Sequence, residues 1–95
     1  MNFVYENNMI WYGGTKEAPL AYIQFPVVEE GKENCVVVAH TVVDESLRGQ
    51  GLAGKLVQAM AEQLRTDGRK AKLKCSYAVK WFEKHEEYRD VLEEE

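Results

Sequence analysis

The run Cys35-Val-Val-Val-Ala-His-Thr-Val-Val43, with the loop Arg48-Gly-Gln-Gly-Leu-Ala-Gly54 close behind it, constrains the fold more than any other stretch. A strand that is almost continuously apolar is expected to be buried on both faces, as at the centre of a sheet. After the glycine loop the apolar period changes from 2 to 3.6. Leu52, Leu56, Met60 and Leu64 fall four apart, with Ala53, Val57 and Ala61 beside them. This predicts an amphipathic helix of about 15 residues, ended by Asp67-Gly68. Ala71-Lys-Leu-Lys-Cys75 then alternates apolar and basic residues, the pattern of a strand polar on one side. Strand, helix and strand with a right-handed crossover make 35–43 and 71–75 parallel neighbours or near neighbours.

The elements around this unit are shorter. Phe3-Val-Tyr5 and Met9-Ile-Trp-Tyr12 read as strands joined at Asn7-Asn8, and Gly13-Gly14 reads as another break. Pro19 to Val28 reads as a third strand whose end Pro26 weakens. Glu29 to Asn34 is a polar loop. Ala78, Trp81, Phe82 and His85 share a helical stripe, which predicts a second helix from Tyr77 to His85; Tyr88, Val91 and Leu92 form a last apolar patch. The order is β-β-β-β-α-β-α. The expected fold class is α/β (α+β), a mixed sheet of about five strands in one domain, residues 1–95.

Composition excludes several classes. The net charge is −4, with 16 acidic against 12 basic residues, so no basic footprint for nucleic acid is expected. The acids gather at the end, in Glu86, Glu87, Asp90 and Glu93 to Glu95, as a solvated face. No stretch approaches the roughly 20 apolar residues of a membrane helix, and the start lacks the pattern of a signal peptide. Cys35 and Cys75 form no disulfide framework and lie at opposite ends of their strands, too far apart to bridge. A cytoplasmic location with reduced thiols is the expectation. No His, Cys or Asp spacing suggests a metal.

The glycine loop fits or nearly fits three phosphate-binding patterns. All three exploit the free N–H groups at a helix N-terminus and the close approach that glycine permits. As a P-loop it fails, because Leu56 replaces the Ser or Thr that binds Mg²⁺. As a dinucleotide fingerprint, Gly49, Gly51 and Gly54 have the spacing, but the following strand, ending Lys72-Leu-Lys-Cys-Ser76, offers no acid for the ribose. Arg48, Gly51 and Ala53 also spell R-x-x-G-x-A. A bare turn would need one glycine, not three in six residues.

That last pattern, with His40-Thr41 before it and Cys75-Ser-Tyr77 at the end of the next strand, resembles the acetyl-CoA-dependent N-acetyltransferase superfamily (GNAT), and most closely its miniature branch. The strong part of the resemblance spans residues 35–88. It implies that backbone N–H groups of Arg48, Gly49, Gln50, Gly51, Leu52, Ala53 and Gly54 wrap the pyrophosphate of acetyl-CoA, with Arg48 and Lys55 adding charge. It implies that strand 35–43 splays from strand 71–75, and that the pantetheine arm pairs with backbone of Thr41, Val42 and Val43. Tyr77 would stand near the cofactor, although packing in the core is the simpler expectation for it.

Two departures bear on chemistry. The chain stops after the second helix, where larger members wall off the acceptor, so the amine acceptor (small molecule, peptide or protein) is not specified. The tyrosine that serves many larger members as general acid is replaced by Phe82. The remaining candidates are Cys75, as nucleophile or proton donor, and His40, as a base sharing a face with Val38 and Val42. Both also have structural readings, a small buried hydrophobe and a sheet-face residue. Lys70, Lys72 and Lys74 would cover an exposed sheet face or meet the 3′-phosphate of CoA. The sequence thus points to an N-acetyltransferase-like protein, or alternatively to a non-catalytic CoA-binding or interaction module. An exposed edge at the first strands leaves room for a weak homodimer.

Overall fold

The structure, a computed structural model, describes residues 2–28 and 30–93; Met1, Glu29 in the polar loop, and Glu94 and Glu95 of the acidic tail lie outside them. The strands are β1 (Val4–Tyr5), β2 (Met9–Gly14), β3 (Pro19–Gln24), β4 (Cys35–Val38), β5 (His40–Val43) and β6 (Lys70–Leu73). The helices are α1 (Leu52–Asp67) and α2 (Ser76–Lys84), with 3-10 turns at Glu45–Leu47 and Glu86–Val91.

The first three strands form a meander. Asn7-Asn8 makes a tight hairpin closed by the Glu6 N–H to Met9 carbonyl bond of 2.8 Å. Gly13 and Gly14 end β2 rather than break the chain before it. The turn itself runs from Thr15 to Ala18, whose N–H donates to the Thr15 carbonyl at 3.1 Å. β3 stops at Gln24, two residues short of Pro26, which has no N–H for a ladder.

The run 35–43 is not one strand but two, and this corrects the sequence reading. In the register of β3 and β5, Gln24 faces His40. Yet the Gln24 carbonyl also takes the Ala39 N–H at 3.0 Å, and the Pro26 carbonyl takes that of Val37 at 2.9 Å. One extra residue is therefore inserted at Ala39, a β-bulge. Before it, Val36, Val37 and Val38 are buried as expected. After it, His40 and Val42 are exposed and only Thr41 and Val43 are half-buried, so burial on both faces holds for β4 alone.

Two ladders result, one antiparallel in the order β1-β2-β3-β5 and one parallel between β4 and β6. The parallel pairing runs from Cys35↔Lys70 to Val38↔Leu73 and stops. Cys35 and Cys75 are offset by five residues in this register, about 16 Å along the sheet, and both thiols are free.

The helices pack on one face. Ile10, Ala21, Ile23 and Phe25 from the meander meet Leu52, Leu56, Val57, Met60, Ala61 and Leu64 of α1 and Ala78, Trp81 and Phe82 of α2 in a single core. Each fully buried aliphatic side chain there contributes roughly 1.5–3 kcal/mol. Gly68, at φ 71°, ends α1, and the Arg69 N–H caps the Leu64 carbonyl at 2.9 Å. Tyr88 and Val91 complete the core from below, and Leu92 adds a bridge beside Ala71.

Candidate functional site

The end of the parallel ladder creates an opening. The N–H groups of Lys74 and Cys75 both donate to the Val38 carbonyl at 3.1 Å, and beyond that point the strands part. β5 is paired to β3 on its other edge. Because antiparallel bonding alternates, and Asp44 N–H binds the Leu20 carbonyl at 2.7 Å, Val42 turns its backbone groups toward Tyr22 and Thr41 and Val43 turn theirs toward the gap. The Arg48 Nε donates to the Val43 carbonyl there at 3.3 Å.

Cys75 stands on the opposite wall of this gap. It is the residue preceding α2, not the last residue of the strand, which ends at Leu73. Its Sγ lies 3.6 Å from the Thr41 Oγ1. Burial pushes the thiol up, the largest single influence. The amide of Ala78, the hydroxyl of Thr41 and the amides of Tyr77 and Thr41 together pull it down by more, so it sits below the ordinary thiol value. None of the α2 amides closes a capping bond of regular geometry; their positive ends at the helix start act on the sulfur as a field.

The loop above the gap is built around glycine backbone. Asp44 caps the 3-10 turn by accepting the Ser46 N–H at 3.0 Å and the Ser46 hydroxyl at 2.6 Å. The same Ser46 hydroxyl and then its amide lower the Asp44 carboxyl below its ordinary value. The chain next passes through Gly49 at φ 85° and Gly51 at φ 70° into α1. Nothing lies within 4 Å of where a Cβ would stand at either, so conformation and not crowding demands glycine. Gly51 provides no side-chain cap and the first turn of α1 holds no acid. The leading N–H groups of α1 therefore remain available. A cavity of about 180 Å³ lies under the loop, lined by Val43, Leu47, Arg48, Gly49, Gly51, Leu52 and Ala53.

The remaining sequence candidates divide. Gln50 and Lys55 are exposed on the loop and the first turn. Leu52 is 2% exposed and offers only its backbone, since its side chain belongs to the core. Val42 turns its side chain to the outer sheet face and its backbone toward β3. His40 also faces outward, and the bulge breaks the shared face with Val38: Val38 is buried, His40 exposed. It therefore lies across the strand from Thr41 and Cys75. Tyr77 is not in the core but 42% exposed, its hydroxyl 3.2 Å from the position a Cβ would take at Gly54. Lys70 lies at the far end of β6, bonded to the Asp90 carbonyl, away from the loop. Phe82 is buried and carries no polar group to the gap.

Sequence reasoning missed a second cavity of about 390 Å³ between α1 and α2. It is lined by Gly51, Gly54, Tyr77, Lys80, Trp81, Lys84 and His85. Trp81 and His85 stack there, ring centroids 3.9 Å apart and 10° from parallel, and His85 Nδ1 lies 2.7 Å from the Trp81 carbonyl. No sequence signal marks it, since it depends on how α2 packs beside Gly54 of α1. Among the described residues no His, Cys, Asp and Glu cluster is arranged to hold a metal ion, and no helix is long and apolar enough to cross a membrane.

Comparison with known proteins bears on this arrangement. Residues 9–91 match the family described as GCN5-related N-acetyl-transferase. The solution structure of a GCN5-like candidate N-acetyltransferase from Staphylococcus aureus is similar to this chain with a TM-score of 0.75 and 30% sequence identity, over 97% of this chain and 87% of that one. No curated protein matches the sequence.

Proposed function

The chain belongs to the GCN5-related N-acetyltransferase family, and from that premise we propose that it binds acetyl-CoA across the Arg48–Gly54 loop and transfers the acetyl group to an amine. The carrying observation is the end of the β4–β6 ladder at Val38↔Leu73 while β5 runs on paired to β3, with the Cys75 Sγ meeting the Thr41 Oγ1 at 3.6 Å where the two ladders separate. A strand edge with free backbone groups suits the amide-bearing pantetheine arm, and the α1 N-terminus suits a pyrophosphate.

Acetyl-CoA supplies the activated acyl group; the chain supplies placement and proton handling. Thr41 and Val43 orient the arm through backbone hydrogen bonds. Arg48, tied to the Val43 carbonyl, brings positive charge to the loop. When the amine nitrogen bonds to the acyl carbon and the carbon–sulfur bond breaks, a proton must reach the departing sulfur. The Cys75 thiol lies on the wall of the gap to give it, and regains one from the amine. In an alternative order the Cys75 thiolate, favoured by its surroundings, attacks the acyl carbon and expels the CoA thiolate; the amine then attacks the acetyl-Cys75 thioester, and the Cys75 sulfur departs and takes up the amine's proton. His40, on the outer face, faces an acceptor arriving from that side rather than the thiol.

Cys75→Ala tests this. Retained acetyl-CoA binding with loss of CoA release supports a chemical thiol, and an acetyl adduct on wild-type Cys75 by mass spectrometry assigns the two-step order. Loss of binding itself would show that Cys75 is only part of the wall. A second reading, a CoA-binding module without turnover, draws on Phe82, which leaves the gap without the hydroxyl of larger relatives. It predicts no CoA release above the buffer rate across a broad amine panel.

A further inference from the structure

We infer that Arg48 makes the site selective for acyl donors that carry a diphosphate: its guanidinium holds the Val43 carbonyl, which the pantetheine arm needs, and a diphosphate seated at the start of α1 draws it away. The inference rests on the reading above, in which the arm pairs with the backbone of Val43. It gives the loop arginine a second role, the exclusion of thioesters that lack a diphosphate.

Two donors are matched to one acceptor. Val42 pairs with Tyr22, so by the alternation of antiparallel bonding the Val43 carbonyl faces the gap rather than β3. Arg48, which closes the 3-10 turn, donates to that carbonyl through Nε at 3.3 Å. Val43 and Arg48 also line the same cavity of about 180 Å³, together with Gly51 and Leu52 at the start of α1. An arm bonded to Val43 in the manner of a neighbouring strand would run through the place of the guanidinium. A pantetheine amide is a neutral donor and competes poorly with a charged one for a carbonyl.

A diphosphate reverses this balance. The bond to Val43 is exposed, long for an N–H to oxygen contact, and made to a neutral acceptor. A phosphate oxygen is charged, and a guanidinium matches it in bidentate geometry. Arg48 Nε is engaged, whereas neither Nη group has a hydrogen-bond partner among the described residues. Asp44, at the head of the turn, exerts no competing hold. Its carboxylate accepts the Ser46 N–H and hydroxyl and makes no ion pair with Arg48 among the described residues. Moving the guanidinium from carbonyl to phosphate needs only side-chain rotation at an exposed residue, which is fast. The two ends of the donor are thereby coupled, the diphosphate opening the strand edge for the arm.

The test uses the two ends as separate probes, S-acetylpantetheine and inorganic pyrophosphate, titrated at constant ionic strength and followed by NMR of the backbone amides. In the wild type, saturating pyrophosphate should tighten S-acetylpantetheine binding about three- to tenfold, the range of one exchanged hydrogen bond. Arg48→Ala should bind S-acetylpantetheine alone as tightly as the wild type does with pyrophosphate, and should gain nothing further from it. The same variant should bind acetyl-CoA more weakly than the wild type. A damaged loop would not improve one ligand while weakening the other, and a thermal melt checks that the fold is kept. Absence of any gain from pyrophosphate in the wild type overturns the inference. So does an Arg48→Ala variant that binds S-acetylpantetheine no more tightly than the wild type. Either result leaves the loop reading intact if acetyl-CoA binds the wild type. Failure of the wild type to bind acetyl-CoA overturns the loop reading and the inference with it.

Discussion

Replacing Gly51 by Ala isolates what the loop glycines do. Gly51 precedes α1 at φ 70°, and a methyl group there meets nothing within 4 Å. The cost is therefore conformational. An alanine in the left-handed region loses about 1–2 kcal/mol, and the stiffer unfolded chain returns about 0.4–1 kcal/mol. The net expectation is a loss of roughly 1 kcal/mol, or about 4–8 °C in Tm for a domain of this size. Gly31 supplies a matched control: it sits at φ 85°, exposed, with nothing within 4 Å. Gly31→Ala should lose similar stability by thermal melting followed by circular dichroism. Only Gly51→Ala should also lose acetyl-CoA affinity, by about tenfold or more, because its backbone must leave the shape that presents the α1 N–H groups. Gly51→Asn should recover part of the stability, since asparagine tolerates this region. If Gly51→Ala binds acetyl-CoA as tightly as Gly31→Ala does, the loop is only a turn and the reasoning fails.

Other expectations follow from single contacts. Cys75, held below the ordinary thiol value, should be alkylated by iodoacetamide with a half-point at lower pH than a free model thiol. With the folded value depressed, the folded state gains stability as pH rises toward the unfolded value and loses that gain as pH falls through the folded one. A half-point at or above that of the model thiol would contradict the surroundings described. Leu56→Ala, at a fully buried position of α1, should cost about 2–5 kcal/mol in urea unfolding. A cost below about 1 kcal/mol would mean that α1 does not centre the core. Tyr88→Phe removes the hydroxyl that donates to Glu62 Oε2 at 2.8 Å and accepts from Gln58 at 3.2 Å. It should cost about 0.5–1.5 kcal/mol, whereas no change in melting would show that the segment after α2 is held by packing alone.

The sequence revealed those parts of the fold whose physics is local. The 3.6-residue stripe from Leu52 to Leu64 became α1, and the alternation of Ala71 and Leu73 with lysines became β6, because one face of each had to be buried. Asn7-Asn8 closed its hairpin for the same local reason. The bulge at Ala39 was not legible. Nothing in Val-Ala-His-Thr distinguishes a continuous strand from one that accommodates an extra residue, because the choice is made by Gln24 and Pro26 on a different strand. That one insertion exposes His40 and turns Thr41 toward Cys75. The loop glycines were readable because left-handed backbone has a compositional mark. The pocket of Tyr77, Lys80 and Lys84 was not, since it depends on how α2 lies against Gly54.

The most direct test of the account is a calorimetric titration of the protein with acetyl-CoA, with NAD and ATP as controls. The account predicts saturable heat with acetyl-CoA and none of comparable affinity with NAD or ATP. Absence of heat with acetyl-CoA, or equal binding of all three, would contradict it and leave the Arg48–Gly54 loop as a turn or a general anion site.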